Sequence, residues 1–264
     1  MTIDHREAGR LWDENAEAWT RLSRAGYDIY RDSFNTPAFL QMLPDIEGLR
    51  GIDIGCGEGW NTRQVAAMGA RITAIDVARR FIGFAVEEER ESPVGIDYAV
   101  ANAVELPFDD ATFDFATAFM SMMDIPDKPD ALREAYRVLK PGGFLQFSIC
   151  HPCFDTPHRV NLRNEQGQTY AIEVGQYFRQ MNGEILEWIF TDAPDDAKEG
   201  LPPFRVARFN STMSEWLNLV IEAGFAIERT AEPCPSGEAL ERWPAAQDAT
   251  VVAYFFHLRA RRQT

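Results

Sequence analysis

The segment Gly51-Ile52-Asp53-Ile54-Gly55-Cys56-Gly57-Glu58-Gly59 constrains this chain more than any other. A buried strand runs into three glycines at alternate positions, and a helix follows at once. Glycine lets the backbone turn tightly and lets a ligand lie against it without a Cβ in the way. Open α/β sheets bind ligands at the carboxyl ends of their strands, where this loop falls. Dinucleotide binders use Gly-x-Gly-x-x-Gly, whose third glycine packs helix on strand beneath a pyrophosphate. Here the spacing is Gly-x-Gly-x-Gly with Trp60 next, which disfavours a dinucleotide. A second feature agrees: Ala74-Ile75-Asp76 ends another apolar run seventeen residues after Gly59. An acid at that point can accept hydrogen bonds from both hydroxyls of a ribose. Its competing role is to cap the helix that follows.

Around these motifs the chain alternates. Strand-like runs at Leu49–Gly55, Ala70–Asp76, Gly95–Ala101, Phe113–Phe119 and Gly143–Cys150 are separated by helical patterns near 59–68, 78–91 and 127–139. Strands separated by helices imply parallel pairing through right-handed crossovers. In the third helix, Leu132, Ala135, Tyr136 and Leu139 share a face, Asp127 can cap the start, and Pro141-Gly142-Gly143 leads into the next strand. Residues 1–48 read as helices, and residues 151–210 interrupt the alternation. A hairpin is expected there from Thr169–Phe178 and Ile185–Phe190, joined at Asn182-Gly183, a favoured turn pair. A helix at 212–223 and strands Phe225–Thr230 and Thr250–Leu258 close the chain.

Composition narrows the class. With 264 residues, 45% of them hydrophobic, the chain can bury a sizeable core. No apolar run approaches the roughly 18 residues of a membrane helix, and Met1–Arg10 is polar, so a cytoplasmic protein without a membrane partner is expected. The formal net charge of −15, with basic residues gathered only at Arg259, Arg261 and Arg262, disfavours nucleic acid, whose phosphates need clustered Lys and Arg. Four cysteines in this length do not suggest a disulfide scaffold.

The strings IDIGCGEG, AIDVA, ANAVELPF, ATFDFATAF and REAYRVLKPGGFLQFSI resemble, in order and spacing, the class I S-adenosylmethionine-dependent methyltransferases. The likeness is greatest to the broad group that methylates small molecules. It covers about residues 48–150 closely and extends more loosely to the Glu-Ala-Gly-Phe at 222–225. It implies a Rossmann-like α/β fold: a seven-stranded, mostly parallel sheet with the last strand antiparallel, a helical lid over residues 1–48, a cofactor core over 49–150, an insertion over 151–210 and the rest of the core over 211–264. It further implies S-adenosylmethionine as cofactor. Gly55, Gly57 and Gly59 would approach its methionine and ribose portions, and Asp53 its amine. Asp76 would hold the ribose, Val77, Asn102 and Ala103 would flank the adenine, and Phe119 would meet the cofactor at the end of strand four. Thr62, Arg63 and Arg31 are candidates near the methionyl carboxylate. Asn102 stands where the family commonly has Asp, yet an amide oxygen can still accept a hydrogen bond.

For chemistry, the family places the acceptor beside the ends of strands four and five. Met122 and Met123 are expected to line an apolar pocket there, and Asp124 reads as a helix-start acid before a base. His151, at the rim after strand five, is the candidate base or acceptor-orienting group, with His158 a weaker one. Cys150 and Cys153 straddle a strand end and a proline, not a helix start, so a redox pair is not expected. No metal is expected, because Cys-His replaces an acidic pair after strand five. Trp12, Trp19, Tyr27, Tyr30, Phe34, Tyr177, Phe178 and Trp188 supply aromatic surface for a lid, with Tyr27 and Tyr30 preferred against substrate. The reading is therefore a methyltransferase moving a methyl group to an O, N or C atom of a small molecule. A non-methylating enzyme or a cofactor-sensing subunit using the same pocket stays open.

Overall fold

A computed structural model describes residues 3–264; Met1 and Thr2, where the expected helical segment begins, lie outside the described residues. In chain order the elements are α1 His5–Arg24, a π-helical turn Arg31–Asn35, α2 Thr36–Met42, β1 Arg50–Ile54, α3 Trp60–Ala66, β2 Arg71–Asp76, α4 Arg79–Glu91, β3 Asp97–Val100, β4 Phe113–Phe119, a 3-10 turn Met122–Asp124, α5 Lys128–Val138, β5 Leu139–Cys150, β6 His158–Arg163, β7 Thr169–Gly175, β8 Glu184–Trp188, α6 Asp195–Lys198, β9 Phe204–Arg208, α7 Met213–Glu222, β10 Phe225–Ala231, α8 Gly237–Arg242, a 3-10 segment Pro244–Thr250 and β11 Phe255–Arg262.

Seven strands form one sheet in the order β10-β11-β5-β4-β1-β2-β3. Only β11 runs against its neighbours, antiparallel to both β5 and β10. The order reverses between β1 and β4, which opens a crevice at the carboxyl ends of these strands. Both faces are covered, so the central strands are apolar throughout rather than alternating. Ile52, Ile54, Leu145 and Phe147 pack with Leu132, Ala135, Trp216 and Val220 on one side. Phe115, Phe144, Ile72, Val65 and Ile46 form the core on the other. Gly51 is required there, since a Cβ would sit 2.3 Å from the Phe115 ring.

Two helix starts with a capping residue in the sequence behave differently. Thr212 and Glu215 form a reciprocal capping box on α7. Asp127 is the residue before α5, but its side chain makes no cap and instead faces His5 Nδ1 at 3.4 Å.

The insertion corrects the expected hairpin. β7 pairs backwards with β6, and β8 pairs forwards with β9. The turn that matters is Asn164–Gly167, where the Asn164 side chain accepts from Gln166 N and Gln168 N and the Gly167 N–H bonds to Asn164 O. The Asn182-Gly183 pair does not close a hairpin; Gly183 N donates to Arg208 O and so adds a rung beside β8 and β9. The last strand also shifts, starting at Phe255 rather than Thr250. Asp248, in the preceding 3-10 segment, is tied to Asn161 and Arg163 of the insertion.

The insertion meets α1 through Asn15, whose side chain donates to Arg205 O and accepts from Arg205 N. That amide continues the edge of β9. Around it, Trp19 packs on Trp188, Phe190 and Phe204 with ring centroids 4.9 to 5.6 Å apart. Among the described residues no helix is long and apolar enough to cross a membrane.

Candidate active site

A cleft of about 580 Å³ lies over the carboxyl ends of β1, β2, β4 and β5, within the size range of small-molecule and cofactor sites. One end is the glycine loop. The N–H groups of Gly55 and Cys56 both bond to Ile75 O, at 2.8 and 2.9 Å, so β2 pins the turn that leaves β1. Gly55, Gly57 and Gly59 all have positive φ. Their surroundings differ: a Cβ on Gly55 would meet Ser121 Cβ at 2.4 Å, one on Gly59 would meet the Tyr98 hydroxyl at 2.5 Å, and one on Gly57 would meet nothing. Gly55 and Gly57 line the cleft, whereas Gly59 serves the packing beneath it.

Asp76 closes this end. One carboxylate oxygen accepts from Gly57 N and the other from Ala78 N, each at 2.8 Å. Burial pushes its carboxyl up to about 6, against the pull of those two N–H groups. Each oxygen keeps acceptor capacity for a ligand. Val77 remains 40% exposed and touches α1 at Gly9, where a Cβ would sit 2.8 Å from the valine. Ala101, Asn102, Ala103 and Phe119 complete the wall.

Two expected cofactor residues lie below the floor. Asp53 is buried, with Thr62 Oγ1 donating to one oxygen at 2.5 Å and Thr117 Oγ1 to the other at 2.8 Å. Neither Asp53 nor Thr62 lines the cleft; the pair locks β1, β4 and the first turn of α3 together. Burial raises the Asp53 carboxyl, and the two hydroxyls oppose the rise. Arg63 also points away, paired with Glu89.

Arg31 does line the cleft. The π-helical turn buries its guanidinium, which bonds to Asp32 and to Ser23 O, sits 3.6 Å from Glu58 and lies over the Trp60 ring. Burial pushes the neighbouring Asp28 up to about 6, although Arg31 works against this.

The other end is aromatic. Trp12, Trp19, Tyr27, Tyr30, Trp188, Phe190 and Phe255 line it, with Met123, Asp124, Cys150, Asp155 and Arg208 beneath. Arg208 is paired with Asp155. Burial pushes the Asp124 carboxyl up to about 7, although Arg208 and Lys128 oppose this. Asp124, read from sequence as a helix-start acid ahead of a base, does not start the helix: it ends a 3-10 turn and lines the cleft, four residues before α5 begins.

Other expectations change. Met122 is fully buried in the core and does not line the cleft, because the 3-10 turn sends successive side chains in different directions. His151 is buried and outside the lining. Its Nδ1 accepts from Cys153 N at 3.2 Å, which leaves the proton on Nε2, 2.7 Å from Glu232. Both ring nitrogens are therefore engaged in holding the loop after β5. His158 lies in β6 and pairs with Glu173. Phe34 packs in the core against Phe255 and Ala249, Tyr177 accepts from Met213 N, and Phe178 is exposed.

Gly9, Asp155, Arg208 and Phe255 also line the cleft and are not among the residues expected there from sequence. A glycine inside the otherwise amphipathic α1 signals close approach. The other three are brought in by tertiary packing alone.

Comparison with known proteins places this geometry. Residues 52–147 match the family described as a methyltransferase domain. An O-methyltransferase of Penicillium expansum, cnsE, is 29% identical over 171 residues, which cover 57% of this chain and 62% of that one. A ubiquinone biosynthesis O-methyltransferase of Xanthomonas oryzae is 36% identical over 105 residues, covering 39% and 44%. The chain thus spans less than two thirds of these relatives' length. The crystal structure of an S-adenosylmethionine dependent methyltransferase from Mesorhizobium loti superposes with a TM-score of 0.68 at 27% identity, covering 86% of this chain and 96% of that one. Over residues 52–147 the chain is similar to methyltransferase domains, and its fold is that of the S-adenosylmethionine-dependent methyltransferases. Such enzymes use S-adenosylmethionine, and the first end of the cleft has the chemistry to receive it. It offers a buried carboxylate with spare acceptor capacity, a glycine backbone open to the cavity, and a guanidinium at the wall.

Proposed function

We propose that this protein transfers the methyl group of S-adenosylmethionine to a hydroxyl oxygen of a small-molecule acceptor and releases S-adenosylhomocysteine. The observation that carries the reading is continuity: one cleft joins the glycine loop and Asp76 to an aromatic-walled chamber. Asp76 accepts from the two ribose hydroxyls. Val77, Asn102, Ala103 and Phe119 flank the adenine, Gly55 and Gly57 run beside the ribose and methionyl chain, and Arg31 faces the methionyl carboxylate. Asp53 and Thr62 act from beneath by holding the loop's shape. Tyr27, Tyr30 and Met123 face the acceptor.

Bound there, the cofactor supplies an electrophilic methyl carbon on a positively charged sulfur with a good leaving group. The protein's task is then to hold the acceptor oxygen in line and to keep water out. Trp12 and Trp19 of α1 and Trp188 and Phe190 of the insertion do this from above. Oxygen is the acceptor atom because the relatives quoted above are O-methyltransferases. A free small molecule in the cytosol, rather than a nucleic acid, accords with the net charge of −15.

The test is a coupled product assay with methyl-labelled cofactor and a panel of uncharged phenols. Formation of S-adenosylhomocysteine in step with a methyl ether supports the reading. Tight cofactor binding with no methylated product from any hydroxyl acceptor contradicts it.

A further inference from the structure

The carboxylates around the cleft divide into committed and uncommitted groups. Asp76 accepts two backbone N–H groups, Asp155 pairs with Arg208, Asp28 accepts from Arg31 N and Glu58 is shared by Arg24 and Arg31. Asp192 also lines the cleft but lies exposed on its roof. Asp124 is different. It lines the cleft, is half-buried, and among the described residues its carboxylate accepts no hydrogen bond. A carboxylate in a cleft wall with no protein donor keeps its full acceptor capacity for a group that arrives with the ligand.

The groups facing Asp124 from neighbouring elements do not supply that partner. Arg208, from β9, is engaged by Asp155 from the loop after β5. Lys128, from α5, donates to Phe209 O at 2.8 Å and lies over the rings of Phe209 and Trp216. Cys150, at the end of β5, has its thiol pushed well up by burial and stays protonated. The backbone holds Asp124 in place, its N–H bonding to Ser121 O as β4 gives way to the 3-10 turn. Burial lifts its carboxyl to about 7, where a general base works best at neutral pH.

The chamber above Asp124 describes the acceptor. Its walls are ring faces and edges from Trp12, Trp19, Tyr30, Trp188, Phe190 and Phe255, which suit a flat, apolar molecule. Arg208 is already paired with Asp155, and Arg31 serves the cofactor's carboxylate in the reading above, so a carboxylate or phosphate on the acceptor would not find a free arginine in the chamber.

Resting on the methyl-transfer reading above, we infer that Asp124 is the general base of this enzyme and takes the proton of a hydroxyl on a flat, uncharged aromatic acceptor. The acceptor O–H bond breaks, and its proton passes to an Asp124 oxygen. The freed electron pair forms the bond from oxygen to the methyl carbon. The carbon–sulfur bond breaks with its pair going to sulfur, which leaves a neutral thioether. Asp124 later returns the proton to solvent, so one proton is released per methyl ether formed.

The test uses the full chain and 4-methylcatechol, whose own hydroxyls ionise above the pH range used, so that a limb near neutrality belongs to the protein. The probe is titrated into protein saturated with S-adenosylhomocysteine, and its methylation is followed from about pH 5.5 to 8.5. Wild type should bind and methylate the probe. Its kcat/KM should rise through about pH 7 and then level. Asp124→Asn should keep its affinity for S-adenosylhomocysteine, lose the pH limb and fall in kcat by roughly 10²-fold or more. Asp124→Glu should restore part of the rate and the limb, and decides the matter if the Asn variant does not fold. Wild-type turnover with an unchanged limb in Asp124→Asn overturns the base. Cofactor binding by wild type with neither binding nor methylation of the probe overturns the acceptor class. Failure of wild type to bind S-adenosylhomocysteine strikes instead at the methyl-transfer reading.

Discussion

At the glycine-loop end of the cleft, polar groups are held by backbone from adjacent strands: Ile75 O takes two loop N–H groups, and Asp76 takes two more. At the aromatic end the walls are side chains from α1, the turn before α2, the insertion and β11, segments far apart in sequence. Two acids show the same contrast. Asp53 is buried with both oxygens bonded by threonine hydroxyls, whereas Asp124 is half-buried and neither of its oxygens is bonded among the described residues. The first end is preorganised by local geometry and suits a ligand that never changes. The second is set by individual side chains, so its occupant can be altered without disturbing the cofactor.

The largest expected separation comes from Phe204, fully buried among Trp19, Trp188 and Phe190. Phe204→Ala should cost about 3–5 kcal/mol of stability, read by denaturant unfolding. It should also weaken acceptor binding, with cofactor Kd kept within a few-fold. Equal loss of both would show that the two ends are one unit. Asp76→Ala should act the other way round, weakening S-adenosylhomocysteine binding by about 1.5–3 kcal/mol in a calorimetric titration; unchanged affinity would remove Asp76 from the site. His151→Ala should lower stability by about 1–3 kcal/mol, the cost of a lost buried hydrogen-bonding group, with kcat/KM nearly unchanged. A large rate loss at normal stability would return His151 to the chemistry.

The smallest effect concerns pH. The folded-state carboxyl of Asp124, at about 7, lies above its unfolded value near 3.9, so folding favours the protonated form. That stabilisation is complete below the unfolded value, is lost progressively as pH rises from there, and is gone once pH has passed the folded value of about 7. Buried His257, pushed down to about 4 by burial, has the opposite trend below its unfolded value of about 6.5, and it is common to wild type and variant. The melting temperature of ligand-free wild type should therefore fall relative to Asp124→Asn between about pH 4 and 7 and level off above. Parallel curves would show that Asp124 is not held protonated by its surroundings.

The division between the two ends also explains what was legible in the sequence. Strand β4 ran from Phe113 to Phe119 as read, and the glycine loop and Asp76 could be located from spacing, because a βα turn is written by consecutive residues. Seven strands with one antiparallel followed from the resemblance, and the sheet has that form. The insertion was not legible. Asn182-Gly183 reads as a hairpin turn, but pairing is decided by which strands can cover α1, and Asn15 with Trp19 selects β8 against β9. His151 stands two residues from Cys153, whose N–H captures one ring nitrogen; the capture of the other depends on Glu232, 81 residues away. Asp124 looked like a helix-start acid because α5 follows closely, and only the intervening turn aims it at the cleft.

Everything at the aromatic end depends on which ligand Asp76 and the glycine loop hold. Calorimetric titration of wild type with S-adenosylmethionine, S-adenosylhomocysteine and NAD tests it most directly. Micromolar binding of the first two and none of NAD is the predicted result; binding of NAD alone would contradict it.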